Sequence, residues 1–313
     1  MAHMKRLLWT LPILPLFLVG CSAASSDSGS SSAADDTLNV VTSTQVWADV
    51  ASAVSADAEV EAIISGGDAD PHSFEPSAAD MAKVAEADII IVGGGGYDSW
   101  LYDSLEADDT RVIHALELSE HDHSAHAEGE ESDHSGHDHG NESTGEVDNE
   151  HVWYSTEAVS EVALDFAAKV VELNADATVT PDAVTSRMDE LHAEIEAIPA
   201  VKIAQTEPIA DHIISHSQLI ESTPAGYRAT TLSEGEPTAS DVAAFQELIR
   251  AGGIDILVYN PQSASPVATS LKELAEENNT AVVEISETPD EGENFLDNFT
   301  QAIADLTTAA QEV

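Results

Sequence analysis

The sequence predicts an α/β fold of two open lobes, each with a mostly parallel sheet, joined by one long backbone helix and leaving a cleft between them. Three observations carry this expectation. Short apolar, β-branched runs recur along the chain without polar alternation, as in strands buried on both faces. Helical patterns follow them, and strands alternating with helices build parallel sheets covered by helices. One helical segment then divides an earlier group of runs from a later one.

Taken along the chain, Leu38–Thr42 is the first strand and Gln45–Ser55 the helix behind it. Val60–Ile64 gives the second strand and Ser77–Glu86 the next helix. Asp88–Val92 and Arg111–His114 complete the first group of strands, and Ser155–Leu173 follows as a helix. The divider is Pro181–Ile198. Pro181 suits a first helical turn, where its missing N–H is not needed, and Pro199 stops the helix. Val184, Met188, Leu191, Ile195 and Ile198 form its apolar stripe. Val201–Thr206, Ile254–Tyr259 and Ala281–Ile285 are the later strands, with helices at Thr238–Ala251, Ser265–Asn278 and Asn294–Thr308. The expected organisation is a signal peptide at 1–20, a lipidated cysteine and flexible tether at 21–36, an N-terminal lobe at 37–179, the backbone helix at 180–199 and a C-terminal lobe at 200–313. Open sheets of this type collect ligands at the carboxyl ends of their strands, so function is sought just after each run.

Composition narrows the function. Asp and Glu number 59 against 10 Lys and Arg, a net charge of −49 with histidine neutral. Nucleic acid is excluded as a partner, because displacing its counterions takes a basic footprint that this chain lacks. A hydrophobic share of 42% is nevertheless that of folded domains. The 13 histidines outnumber all Lys and Arg, and an acidic yet histidine-rich chain points to metal. Lys5 and Arg6 precede an apolar run from Leu7 to Val19, a secretory signal too short for the roughly 20 apolar residues of a membrane span. Leu18-Val19-Gly20-Cys21 resembles a bacterial lipobox, in which the signal is cut before the cysteine and the thiol is lipidated. Cys21 is the only cysteine of the sequence, so an intrachain disulfide is impossible. Ser22–Asp36, rich in Ser, Ala and Asp, reads as a flexible tether.

The segment 120–150 sets His121, His123, His126, His134, His137 and His139 among Asp, Glu, Ser and Gly. Almost nothing in it can enter a core, so it reads as a mobile loop. Its H-D-H and H-x-x-H-x-H spacings let imidazoles and carboxylates reach one ion without a rigid frame, which suits weak, exchangeable capture of zinc-like ions.

After the second strand come Gly66-Gly67-Asp68-Ala69-Asp70-Pro71-His72-Ser73-Phe74-Glu75-Pro76. This Asp-Pro-His-x-Phe-Glu-Pro segment resembles the signature of the substrate-binding proteins of zinc and manganese ABC importers, the TroA-like or cluster A-I family, zinc-type. The resemblance extends along nearly the whole chain beyond the tether. It implies two unequal lobes on a rigid helix and a metal site in the interlobe cleft, with His72 as first ligand. The acidic, histidine-rich loop lies where zinc-type members carry one. It leads into Asn149-Glu150-His151-Val152-Trp153-Tyr154, similar to the family's Pro-His-x-Trp segment, which implies His151 as second ligand, with Glu150 in place of the usual proline.

At the third position Glu207 follows the strand Val201–Thr206. Zinc-type members usually have histidine there and manganese-type members glutamate; His212 and His216, four apart on a helix, are the alternative. At the fourth, Glu287 matches the acidic ligand at the last strand's end, with Glu284 its rival on the opposite face. Asn260-Pro261-Gln262 resembles the family's Glu-Pro-Gln turn, and Asp70, Asn260, Gln262 and Trp153 are expected to support the ligands or wall the cleft. Two imidazoles, two carboxylates and no thiolate suit Zn²⁺, with Mn²⁺ the alternative. The resemblance implies an extracytoplasmic, lipid-anchored monomer that traps a divalent ion and delivers it to an ABC permease and its ATPase. No H-E-x-x-H motif or positioned Ser/His/Asp set is present, so a secreted zinc hydrolase is not expected. Cell adhesion with a structural metal could coexist with transport.

Overall fold

The computed structural model describes residues 37–67, 72, 74–106, 108–118 and 149–313. The signal peptide, Cys21, the tether, Asp70 and the six histidines of the acidic loop lie outside the described residues. Two sheets of four strands each are present, and every strand pair is parallel. The first has the order β2-β1-β3-β4, from β1 (Asn39–Thr44), β2 (Glu59–Ile64), β3 (Ile89–Val92) and β4 (Val112–His114). The second has the order β6-β5-β7-β8, from β5 (Lys202–Gln205), β6 (Ile220–Glu221), β7 (Ile256–Tyr259) and β8 (Ala281–Glu284). The mostly parallel α/β expectation is met in full. Both orders reverse direction once, between β1 and β3 and between β5 and β7, and such a switch opens a crevice at the strands' carboxyl ends.

Strand residues divide by the two-residue period of the pleat. In the first sheet Val40, Ile89 and Ile91 face a core shared with the second sheet, while Val41, Ile90 and Val92 face a separate cluster under α2 (Ala78–Glu86) and α3 (Ser99–Tyr102). In the second sheet Ile203, Ile256 and Val258 face the shared core, and Ala204 and Leu257 pack beneath α7 (Ala225–Thr231), α8 (Ala239–Arg250) and α9 (Pro266–Glu277). The shared core is filled by α1 (Gln45–Val54), α4 (Thr156–Leu173), α5 (Asp182–Glu196) and α10 (Phe295–Glu312), which pack on one another.

The five-residue stripe from Val184 to Ile198 is wholly inside that layer, each member at most 2% exposed. Burying five such side chains contributes on the order of 10 kcal/mol as an upper estimate. That is comparable with the net stability of a whole domain, so α5 cannot leave the layer without unfolding it. Local signals fix the ends of other helices. Ser77 with Asp80 and Thr238 with Asp241 form capping boxes at α2 and α8, and α9 begins on Pro266 after Ser265.

Several elements differ from the sequence reading. α3, α7 and β6 were not expected; two are helices of at most two turns and β6 is a two-residue edge strand, all too short to show a period. α6 covers only Asp211–Ser215, so His216 caps its end and does not share a helical face with His212. β8 stops at Glu284, and α10 runs on to Glu312. Among the described residues no helix is long and apolar enough to cross a membrane.

Candidate metal centre

The carboxyl ends of the strands supply the site. His72 follows β2, the Gly93–Asp98 turn follows β3, Glu207 follows β5, Asn260 follows β7 and Glu287 follows β8. His151 comes from the segment just before the short helical turn Val152–Tyr154 that leads into α4. Gly94 takes φ +80°, and a Cβ there would run into the Leu116 carbonyl, so only glycine lets the turn close on the neighbouring loop. The amides of Gly93 and Gly94 donate to Asp98, at 2.6 and 3.0 Å, and the turn delivers Tyr97 to the site.

His72, His151, Glu207 and Glu287 each offer one ligand atom, and the four atoms lie within 4.8 Å of one another. His72 Nε2 is 3.3 Å from Glu207 Oε1 and 3.4 Å from Glu287 Oε1, and His151 Nε2 is 3.2 Å from Glu207 Oε1. Donors on a tetrahedral ion with bonds of about 2.0–2.1 Å stand about 3.3 Å apart. Three edges of the cluster therefore match a four-coordinate ion's shell.

The outer carboxylate oxygens are already engaged. Glu207 Oε2 accepts from Asn260 Nδ2 at 2.8 Å and from Ser263 Oγ, and Glu287 Oε2 accepts from Tyr97 at 2.7 Å. Asn260 Nδ2 also reaches Glu287 Oε1 at 2.8 Å, so one amide holds both acids. Gln262 Oε1 accepts from the backbone amides of Glu287 and Thr288, at 2.6 and 2.9 Å, and fixes the loop after β8. Trp153 is buried behind His151, with ring centroids 5.3 Å apart.

Charge couples these groups. Burial pulls the His72 imidazole down, but its bonds to Glu207 and Glu287 outweigh that and push it up to about 11. His151 is raised in the same way, burial being overcome by Glu207. Burial pushes Glu207 up, yet His151 and His72 hold it well below the usual carboxylate range. Burial, reinforced by Glu287, raises the Tyr97 hydroxyl well above its ordinary value, so it stays a donor.

A cavity of about 460 Å³ opens from the two histidines and Glu207 outward past Glu150, Glu234 and Glu236, and among the described residues no Lys or Arg lines it. Glu150 Oε1 stands 3.5 Å from His72 Nδ1, and burial raises its carboxyl to about 7.

The rival ligands lie elsewhere. Glu284 pairs with Lys272 at 2.6 Å on the other side of β8. His212 is buried with Nε2 3.0 Å from the Asn149 carbonyl, and burial pulls its pKa down. His216 Nδ1 faces the His212 carbonyl at 2.9 Å, and its ring packs on His192. The sequence reading passed over Tyr97, Asn149, Ser263 and any support from Glu150. The run Gly93–Gly96 ahead of Tyr97, directly after a strand, was the one signal that could have exposed a site residue.

Comparison with known proteins agrees with this architecture. The chain is 28% identical over 117 residues to a manganese-binding lipoprotein, MntA, of Halalkalibacterium halodurans, covering 37% of this chain and 38% of the relative. It is 24% identical over 282 residues to a zinc-binding lipoprotein, AdcA, of Streptococcus pneumoniae, covering 83% of this chain and 51% of the relative. It thus spans about half or less of the length of these curated relatives. The laminin-binding adhesin Lmb of Streptococcus agalactiae superposes with a TM-score of 0.64 at 18% identity, over 87% of this chain and 99% of that one, and shares the two-lobe fold. The family described as zinc-uptake complex component A, periplasmic (ZnuA) matches residues 40–309, and this chain belongs to it.

Proposed function

We propose that this protein is the extracytoplasmic, lipid-anchored receptor of a metal importer, which captures Zn²⁺ at His72, His151, Glu207 and Glu287 and hands it to an ABC permease and ATPase without chemistry. The observation that carries this reading is the set of 3.2–3.4 Å contacts among four donor atoms. With the outer oxygens of both carboxylates engaged, each acid presents one oxygen inward, giving two nitrogens and two oxygens. That set suits four-coordinate Zn²⁺ better than the six-coordinate, oxygen-rich shell Mn²⁺ prefers. A catalytic zinc keeps a position for water beside three protein ligands, whereas four protein ligands close the shell, which supports transport over hydrolysis.

Manganese is the second reading, favoured by Glu207 at the third position and by the relative named as manganese-binding. Adhesion is stated for the Lmb protein and carries no separate support here. Cys21 would supply the anchor, and the loop histidines would collect ions for the cleft. Calorimetric titration with Zn²⁺ and Mn²⁺ in competition tests the reading. His72→Ala and His151→Ala should each weaken Zn²⁺ binding severely with the fold intact, and deletion of Asp122–His139 should remove only weak, multiple binding. Unchanged tight binding in both point variants would sink the site assignment; tighter binding of Mn²⁺ than of Zn²⁺ would overturn the choice of cargo.

A further inference from the structure

His151 is the more deeply buried of the two imidazoles, and a single side chain aims it. Asn149 Oδ1 accepts from the His151 backbone amide at 2.8 Å and faces ring Nδ1 at 2.7 Å. On its other side Asn149 Nδ2 donates to the Pro208 carbonyl at 2.6 Å and to Asp211 Oδ2 at 2.9 Å. The amide cannot be turned over. Reversed, it would set NH₂ against the His151 N–H and oxygen against two acceptors. An oxygen held at Nδ1 requires the proton of a neutral imidazole to sit there, which leaves the lone pair on Nε2, the atom 3.2 Å from Glu207 Oε1.

The support continues outward. Asp211, 3% exposed, accepts from Gln205 Nε2 at 2.7 Å and from both terminal nitrogens of Arg228 at 2.8 Å, a bidentate pair. Arg228 lies on α7 and Gln205 ends β5, so the chain Arg228–Asp211–Asn149–His151 runs from the C-terminal sheet and its covering helix to a ligand carried by the other lobe. The same links grip the loop that carries Glu207, because Pro208 and Ala210 are bound by Asn149 and Gln205. A carboxylate at 149 would face Asp211 across 2.9 Å, which explains an amide there.

We infer that Asn149, held by the Asp211–Arg228 pair, is a positioning residue that fixes the tautomer and aim of His151 toward the cargo ion. The inference rests on reading His151 as a ligand. The test measures Zn²⁺ affinity by chelator competition and the visible spectrum of the Co²⁺-loaded full chain. Asn149→Ala should weaken Zn²⁺ binding by about 10–100-fold, the usual effect of losing the partner of a ligating histidine, and should alter the Co²⁺ bands. If Asn149→Ala does not fold, Asn149→Gln takes its place, since the longer amide cannot keep its oxygen at Nδ1.

An Asn149 variant that folds with unaltered affinity and an unaltered Co²⁺ spectrum overturns the inference. His151→Ala separates the two readings. If it keeps full affinity, the ligand assignment itself fails; if it loses affinity while Asn149→Ala does not, only the positioning role fails.

Discussion

Loading the site should expel protons, and the number follows from the geometry. Without an ion, two carboxylates face two imidazoles, and the contacts to Glu207 and Glu287 raise His72 to about 11 and raise His151 as well. At pH 7 His72 therefore holds a full proton on the site. A divalent ion needs both imidazoles neutral, so binding expels about one proton from His72, and the upward shift of His151 acts in the same direction.

Apparent affinity should then rise with pH by at least about one decade per unit near neutrality. Zn²⁺ titration calorimetry in buffers of different ionisation enthalpy reads the proton count directly, and His72→Ala should lower it by about one. A count below about one half at pH 7 would refute the reasoning, since the carboxylates could not then be holding His72 protonated. The stability of the metal-free protein carries the matching sign. The folded state holds a proton that the unfolded chain releases near the ordinary 6.5, so this contribution is complete below that pH and is lost as pH rises toward about 11.

Two further outcomes are expected. Asn260→Leu removes the amide that holds both Glu207 and Glu287, and should weaken Zn²⁺ binding by about 10–100-fold, measured by chelator competition; affinity within a factor of two of the unaltered chain would show that the carboxylates need no such clamp. With a net charge of −49, the metal-free protein should melt at a higher temperature as NaCl is raised from 10 mM to 1 M, since screening shortens the Debye length from about 30 to about 3 Å. A flat or falling midpoint would mean that self-repulsion does not limit its stability.

What the sequence made legible depends on period and on covalent neighbourhood. β3 is four consecutive Ile and Val residues, and α5 carries four apolar residues at helical spacing, with Ile198 just past its end, between two prolines, so burial pattern and element type coincide. α7 offers one buried residue, Tyr227, in seven, and β6 is two residues long, so nothing periodic marks them; α7 is held by packing on α8 and β6 by pairing with β5. The four clustered donors each sit beside a recognisable turn or strand end. Asn149 and Tyr97 act through partners at least 59 positions away, Pro208 and Asp211 for the first and Glu287 for the second. No local pattern encodes such distances. His212 and His216 illustrate the converse error, because their four-residue spacing means a shared face only where a helix continues, and α6 ends at Ser215.

The placement of the donors also separates a receptor from a protein whose metal is structural. His72 and His151 belong to the first lobe, Glu207 and Glu287 to the second, so an ion held by all four would tie the lobes across the cleft. Between the sheets, however, α1, α4, α5 and α10 already share one buried core that owes nothing to the site. Removing metal should therefore leave circular dichroism and cooperative melting intact. Adding it should stabilise by mass action alone: free Zn²⁺ at 1,000 times the dissociation constant contributes about 4 kcal/mol. For a unit of this size that is roughly a ten-degree rise in Tm, growing with the logarithm of free ion. Chelated protein that loses its cooperative transition would refute the argument, since the helical layer would then be unable to hold the lobes without the ion. A rise that saturates as soon as one equivalent is bound would refute it too, because mass action continues to grow with free ligand.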